Sequence, residues 1–395
     1  MTTLSGTAEV LKVFLKLGST CFGGPIAHIG YFRDEFVTKR KWLTESEFAE
    51  LVAICQFLPG PASSKVGFSI GLMRAGYPGA VAAWIGFTLP SALALVLFAY
   101  GAPTLNGQLG AGLLHGLKLA AVAIVAQAVW AMARALCPDR QTAAIALIAT
   151  FVALLGSTSA TQIIAILLGC FAGLLLCRSN EPVHATKTTI KVSRTVGAFS
   201  LALFVILLVG LPLFRSVSGL FELSLFDAFY RSGSLVFGGG HVVLPLLKEA
   251  VVAPGWIGEN AFLAGYGAAQ AIPGPLFTFA AYLGAAIQPE QGVQSATIAL
   301  VAIFLPGMLI LLGVFPFWEA VRMRPSARAA MRGINAAVVG ILAAALYDPV
   351  WTTAVVSRID LGIALVGFLF LAVGRLPPLL VVTACAIAGL LSPFI

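Results

Sequence analysis

Polar and apolar positions segregate into long blocks rather than alternating. Apolar runs near residues 10–17, 78–101, 110–135, 141–156, 159–177 and 198–214 are separated by short polar stretches. Runs of this kind, without a two-residue period, predict helices that satisfy their own backbone inside a bilayer and exclude an outer-membrane barrel. Two kinds of interruption punctuate the pattern. Phe22-Gly23-Gly24-Pro25 ends a first helix and starts a second, which carries His28 and runs into the charged stretch Arg33 to Lys41. Gln56-Phe57-Leu58-Pro59-Gly60-Pro61 then breaks the apolar segment 47–73 near its middle. Pro59 removes a backbone donor and clashes with the preceding turn, Gly60 supplies free torsions, and Pro61 suits the first turn of a new helix.

Composition turns these helices into an all-α polytopic membrane protein. The chain is 59% hydrophobic and only 10% charged, with a mean hydropathy of +0.98, well outside the range of soluble domains. The formal charge of +8 gathers in a few loops, so it is a topology signal and not a sign of nucleic-acid binding. Glu9, Lys12 and Lys16 fall at helical spacing, which predicts an amphipathic first helix rather than a cleavable leader. The six cysteines stand singly in or beside apolar runs, without CxxC or a nearby histidine, and read as inert core residues.

The chain restates itself. Phe22-Gly23-Gly24 returns as Phe237-Gly238-Gly239, Trp42 as Trp256, Gln56 with its Pro-Gly-Pro as Gln270 with its own, and Leu89-Pro90 as Leu305-Pro306. The offset drifts only from 214 (Gln56 to Gln270) to 217 (His115 to Arg332). Several matches in one order predict two homologous halves, 1–177 and 226–395, joined by a basic cytoplasmic linker and one extra membrane helix over 178–225. Charge predicts that the halves are inverted. Arg33 to Lys41 holds four basic residues where Lys248 to Trp256 holds one, whereas residues 102–115 hold none and the matching loop carries Arg322, Arg324, Arg328 and Arg332. Basic loops stay cytoplasmic, so the repeats have opposite topology, and the extra segment supplies the odd crossing that inversion needs. Parity then predicts that 47–73 and its twin near 259–285 are re-entrant hairpins turning at the Pro-Gly-Pro break. A full kinked span is the alternative.

A helix restarted at Pro61 offers the free amides of its first turn, around Ala62 to Lys65, with the positive end of its dipole behind them, which is a ready anion site. The helix start after Pro275 repeats the device, with Leu276 and Thr278 in its first turn.

Phe22-Gly23-Gly24-Pro25, Ala27-His28-Ile29-Gly30-Tyr31-Phe32, Trp42-Leu43 and Gln56 through Pro59-Gly60-Pro61, taken in this order, resemble the chromate transporter family in its long two-domain form. The resemblance covers nearly the whole chain. It implies a multi-pass protein of the bacterial inner membrane that exports chromate, confers chromate resistance and draws on the proton-motive force, with sulfate as a competing oxyanion. The second half departs from the first where Pro25 is matched by Gly240, His28 by Val243 and Lys65 by Phe279.

A tetrahedral dianion must exchange its water shell for fixed donors. The candidate binding residues are Gly23, Gly24, Gln56, Gly60, Ala62, Ser63, Ser64 and Lys65 in the first half, and Gly239, Gly240, Gln270, Gly274, Leu276 and Thr278 in the second. Glycine and proline breaks also serve simply to kink membrane helices and to pack them closely. Lys65 is an ionisable group at membrane depth, where such residues are mostly functional; its alternative is a lysine snorkelling to the surface. Gln56 and Gln270 either donate to the oxyanion or tie a hairpin to its neighbour. His28, His241 and Glu50 are the candidates for proton coupling, against capping and interfacial roles. Arg74 reads as an interfacial anchor, and His115 and Arg332, which occupy matching positions in the repeat, as surface residues. A secondary active transporter driven by protons is the leading function, ahead of a sulfate or general oxyanion permease and of a passive anion channel. The sequence leaves room for a homodimer. No HExxH, GxSxG, Walker A or metal-ligand cluster appears, so no enzyme activity, metal or cofactor is expected.

Overall fold

The computed structural model describes residues 3–104, 107–156, 159–177, 192–237 and 240–391. Among them helix is the only regular structure. The first half comprises α1 (Thr3–Thr20), α2 (Gly24–Arg33), α3 (Glu45–Phe57), α4 (Ala62–Gly101), α5 (Gly107–Leu136), α6 (Arg140–Leu155) and α7 (Ser159–Leu176). After α8 (Arg194–Ser218), the second half follows with α9 (Phe221–Ser234), α10 (Val243–Leu247), α11 (Glu259–Ala271), α12 (Phe279–Ile287), α13 (Gly292–Val314) and α14 (Trp318–Arg322). It closes with α15 (Pro325–Ala345), α16 (Thr352–Ala354), α17 (Arg358–Ala372) and α18 (Pro378–Leu391). Five helical stretches, Ala62–Thr104, Gly107–Leu136, Arg194–Ser218, Pro289–Val321 and Pro325–Ala354, are long and apolar enough to cross a membrane. Arg178, Lys187 and Lys191 of the expected linker lie outside the described residues.

Each Pro-Gly-Pro does locally what its residues dictate. Thr44 and Glu47 form a capping box that starts α3. Leu58 then turns extended at φ −87°, ψ 153°, Gly60 takes φ +99°, and Pro61 leads into α4. The second half repeats this from α11 through Gly274, at φ +104°. α4 is not one rod. Ala75 and Gly76 leave helical geometry, with Gly76 at φ 66°, ψ −159°, and Gly71 lies against Gly79. Residues eight apart touch only if the helix reverses, so Ala62–Arg74 folds back beside Tyr77–Gly101. Gly284 of α12 likewise lies against Ser295 of α13 across the turn at Gln288. The 13-residue α3 and α11 each span about 20 Å, short of the roughly 30 Å hydrocarbon core.

The two halves exchange helices. Gly116 of α5 packs on Cys385 and Ala386 of α18, and Gly333 of α15 packs on Gly169 and Gly173 of α7, so the long helix of each half rests on the last helix of the other. Small residues let these backbones approach where the membrane supplies no hydrophobic drive. Ion pairs follow the same exchange: Arg332 of α15 meets Asp139, the N-cap of α6, at 2.6 Å, and His115 of α5 meets Asp360 of α17 at 2.8 Å. The Asp139 carboxyl is held below the usual carboxylate range, first by the Thr142 amide and further by the Thr142 hydroxyl and Arg332. Arg74 pairs with Glu9 at 3.0 Å and lies over the Trp42 ring, which closes the end of the α4 reversal. α8 runs along α13 and α9 and shows large apolar side chains such as Phe199, Ile206 and Phe214 on its open side.

The breaks themselves are tied crosswise. Gly60 N donates to Val236 O at 2.7 Å, and Gly274 N donates to Cys21 O at 2.8 Å. Val236 and Cys21 are equivalent residues, each just ahead of a Phe-Gly-Gly, so each Pro-Gly-Pro holds the glycine-rich break of the opposite half. A Cβ on Gly60 would stand 2.9 Å from Gly307 Cα, and one on Gly274 would stand 2.7 Å from Ser91 Oγ, again equivalent positions. Gly60→Ala is therefore expected to destabilise the protein by roughly 1–3 kcal/mol through strain at positive φ, before the clash is added. Fluorescence-detected size-exclusion after heating checks this, and Gly101→Ala, whose Cβ meets nothing within 4 Å, should leave the profile unchanged.

Candidate functional site

Where the crosswise breaks meet, the first turn of α4 is enclosed: Ser63, Ser64 and Lys65 are 3%, 3% and 1% exposed. Lys65 N already bonds Pro61 O at 3.0 Å, which leaves the amides of Ala62, Ser63 and Ser64 as the open end of the helix. Ser63 Oγ lies 3.3 Å from His28 Nδ1, and the imidazole stands edge-on to Phe87 at 5.2 Å. With the serine donating to Nδ1, the ring proton sits on Nε2. That Nε2 is buried without a well-formed hydrogen bond, and so is Ser64 Oγ.

Lys65 faces the other way. Its Nζ donates to Leu58 O at 2.6 Å and Pro59 O at 2.9 Å, carbonyls that α3 leaves open at its broken end. The ammonium thereby closes the negative end of one half-helix while its own backbone begins the next. Phe279 takes its place in the second half, edge-on to Phe262 and Tyr266 at centroid distances of 5.3 and 5.6 Å and stacked on Tyr282 at 5.9 Å.

Elsewhere in the second half, Thr278 is buried but donates its hydroxyl to Pro275 O at 2.7 Å, within its own turn. Leu276 packs against Gly240. The Tyr266 hydroxyl lies 2.8 Å from His241 Nδ1, one turn before Gln270, whose Nε2 is buried without a well-formed hydrogen bond. A Cβ on Gly24 would approach His241 Nε2 to 4.0 Å, so the glycine break of the first half touches the histidine of the second. Gly23 is the exposed N-cap of α2 at φ 98°.

Two candidates are drawn away from this cluster. The Gln56 side chain is exposed on α3, and Glu50 accepts a 2.8 Å bond from Trp318 Nε1, tying α3 to α14. Gly239 lies outside the described residues. Three side chains that sequence reasoning passed over belong to the cluster's surroundings: Tyr266, Ser91 beneath Gly274, and Thr88, whose buried Oγ1 has no partner. Tyr266 stands one helical turn before Gln270, and Ser91 directly follows Leu89-Pro90, which were the available signals.

The cluster presents amides, hydroxyls, an imidazole and a carboxamide, with no carboxylate among these groups. Among the described residues no group of three or more His, Cys, Asp or Glu is disposed to hold a metal.

The family model described as "Chromate transporter" matches residues 8–174 and again 223–390, one match for each half. A probable chromate transport protein of Synechococcus elongatus is 28% identical over 97% of this chain and 95% of its own length. The chromate transport protein of Pseudomonas aeruginosa is also 28% identical, over 96% and 91%, and an uncharacterized transporter of Methanocaldococcus jannaschii is 26% identical over 85% and 82%. No solved structure matches. Two consecutive matches to one model, spanning nearly all of both halves, are the duplication seen in the breaks and in the exchanged helices: the chain belongs to the chromate transporter family.

Proposed function

We propose that the crossed helix breaks bind a tetrahedral divalent oxyanion, with chromate as the physiological substrate, and that the protein exports it across the bacterial inner membrane at the expense of the proton-motive force, giving chromate resistance. The observation that carries this is Ser64 Oγ, buried in the first turn of α4 with no hydrogen-bond partner, together with His28 Nε2 and Gln270 Nε2, which are buried without a well-formed bond. Each unpaired donor costs about 1–3 kcal/mol in the empty protein, a cost that an oxyanion repays by accepting from all of them. The open amides of α4 add donors that need no side-chain ordering, as broken half-helices do in other transporter folds. Tetrahedral oxygens suit donors that converge from both halves, and the missing carboxylate removes the repulsion that would bar a dianion.

In this reading Lys65 is a positioning residue. It fixes the break and lends positive charge from behind. His28 and His241 are the proton-coupling candidates, since both contact the breaks; Glu50, held by Trp318, is placed to link proton release to movement of α3. The hairpins α3 with Ala62–Arg74 and α11 with α12 enter and return from opposite faces of two inverted repeats, so tilting them about the crosswise bonds would expose the site to either side in turn.

Uptake of radiolabelled chromate into everted vesicles is expected to collapse with an uncoupler and to be reduced by sulfate. Persistence along the chromate gradient alone would make the protein a passive channel. Ser64→Ala, which removes one donor to a charged ligand, is expected to raise KM about tenfold or more at unchanged membrane yield; unaltered uptake would remove the α4 start from the site. Impermeant maleimide labelling should find cysteines placed at Lys39 and at Arg328, in an otherwise cysteine-free protein, both on the cytoplasmic face. Labelling on opposite faces would refute inversion.

A further inference from the structure

From residue 361 to the end the sequence carries a single charged residue, Arg375, in the turn that joins α17 to α18. The two helices leave an open groove between them, a cavity of about 390 Å³ lined by apolar residues throughout. Gly362 and Gly367 form part of it; Gly362 is exposed, and a Cβ there would meet nothing within 4 Å. The groove runs along α17 from Ile359 to Phe370, roughly 16 Å of helix and about half the hydrocarbon core. Its Phe370 end lies against the turn, where the Leu376 amide bonds Phe370 O at 3.0 Å. Arg375 is exposed there, with no hydrogen bond or ion pair to its side chain among the described residues. The neighbouring helix marks the same level as interfacial. Gly112 and Gly116 of α5 lie against Gly389 and Cys385, so α5 is antiparallel to α18 and parallel to α17. With Ala123 beside Gly367, this register brings Trp130 level with Gly374. Trp130 is 55% exposed and has the Arg134 guanidinium 6.0 Å from its ring centroid, the pairing of aromatic and arginine found at membrane–water boundaries.

We infer that this groove binds one acyl chain of an anionic phospholipid whose phosphate rests on Arg375. A gap on a membrane-facing surface forfeits van der Waals contact until something from the bilayer fills it. Half the core thickness is the depth of one leaflet's chain, whereas the helices of a second copy would run the full depth. Charge then selects the headgroup. The guanidinium fork matches phosphate oxygens in pairs, and basic ends of grooves between membrane helices hold acidic headgroups. At the opposite end Arg358 stands two residues from the Asp360 carboxylate, which opposes a phosphate there. A bound chain would also back the contact between the halves, since Gly367 and Cys385 line the groove and touch α5 at Ala123 and Gly116. The site shares no residue with the helix breaks.

The test is thermal melting of the purified full-length protein in detergent, titrated with dioleoyl phosphatidylglycerol, dioleoyl phosphatidylcholine or dioleoylglycerol, which keeps the chains and lacks the phosphate. Phosphatidylglycerol is expected to raise Tm saturably, and the other two to need at least about tenfold more lipid for the same rise. Arg375→Asn removes the guanidinium and keeps a residue that tolerates the φ of 51° at this position. Gly362→Leu fills the groove from its open side. Each is expected to move half-saturation by phosphatidylglycerol at least about tenfold higher. Equal potency of the three lipids, or half-saturation unchanged in either variant, would overturn the site. Light scattering that shows a dimer lost in Gly362→Leu would make the groove a subunit interface and overturn it equally. Should one variant not fold, the other decides. No oxyanion enters the titration, so its failure is distinct from failure of the transport function.

Discussion

Two backbone hydrogen bonds, Gly60 N to Val236 O and Gly274 N to Cys21 O, are the constraint on which the rest of the molecule turns. Inside a bilayer a broken helix leaves polar groups that no water can satisfy, each worth several kcal/mol if unpaired. A lone Pro-Gly-Pro would be a liability. Here each break lends its glycine amide to a carbonyl at the break of the opposite half, so neither can form without the other. The close seats of Gly60 on Gly307 and Gly274 on Ser91 repeat that reciprocity in van der Waals contact. The exchanged packing of α5 on α18 and α15 on α7 extends it to the periphery, which makes the duplicated chain one interlocked body.

Reciprocity in backbone does not carry over to chemistry. Lys65 and Phe279 hold equivalent places, yet one closes open carbonyls with an ammonium and the other fills an aromatic stack. An ammonium in an apolar interior needs its protons engaged, and two carbonyls of a negatively polarised helix end take two of the three. In the second half Thr278 closes its own turn, and an aromatic layer replaces charge. The unsatisfied donors accordingly concentrate on the first-half side at Ser64 and His28, with Gln270 contributed from across the axis. The duplicated breaks are therefore alike in backbone and unlike in side chains.

Much of the fold was legible because prolines, glycines and charge are local signals. The breaks at residues 58–61 and 272–275, the restart near Pro25 and the order of the repeats follow from backbone rules that tertiary packing cannot override. The reversal at Ala75–Gly76 falls between the segments 47–73 and 78–101, where Arg74, Gly76 and Pro78 interrupt the apolar pattern. The exchange of helices between halves was not legible at all: Gly116, Gly169, Gly173 and Gly333 mark close approach, but a small residue does not name its partner. In the candidate site, spacing identified helix starts and could not give side-chain direction. Lys65 aims at carbonyls, Gln56 faces outward and Glu50 is taken by Trp318 from 268 residues away, each a long-range outcome. Tyr266 escaped notice because a tyrosine in an apolar helix looks like core until His241 and Gln270 are seen beside it.

The arrangement of helix ends gives the molecule an internal polarity that its sequence charge does not convey. Starts of half-helices gather at the crossed breaks, where amides and hydroxyls favour negative charge. Ends of α6 and α15 gather around Lys248, Glu249, Glu259 and Asp348, where they favour positive charge. The chain connects the two regions directly: α11 starts at Glu259 beside Lys248 and ends at the break that contributes Gln270. The Lys248–Glu259 ion pair thus holds the first turn of the same short helix whose last turn carries Gln270. Over 13 residues, about 20 Å, one helix joins an ion pair at its start to a polar side chain at its end, so the polarity of the molecule is carried by the placement of helix termini.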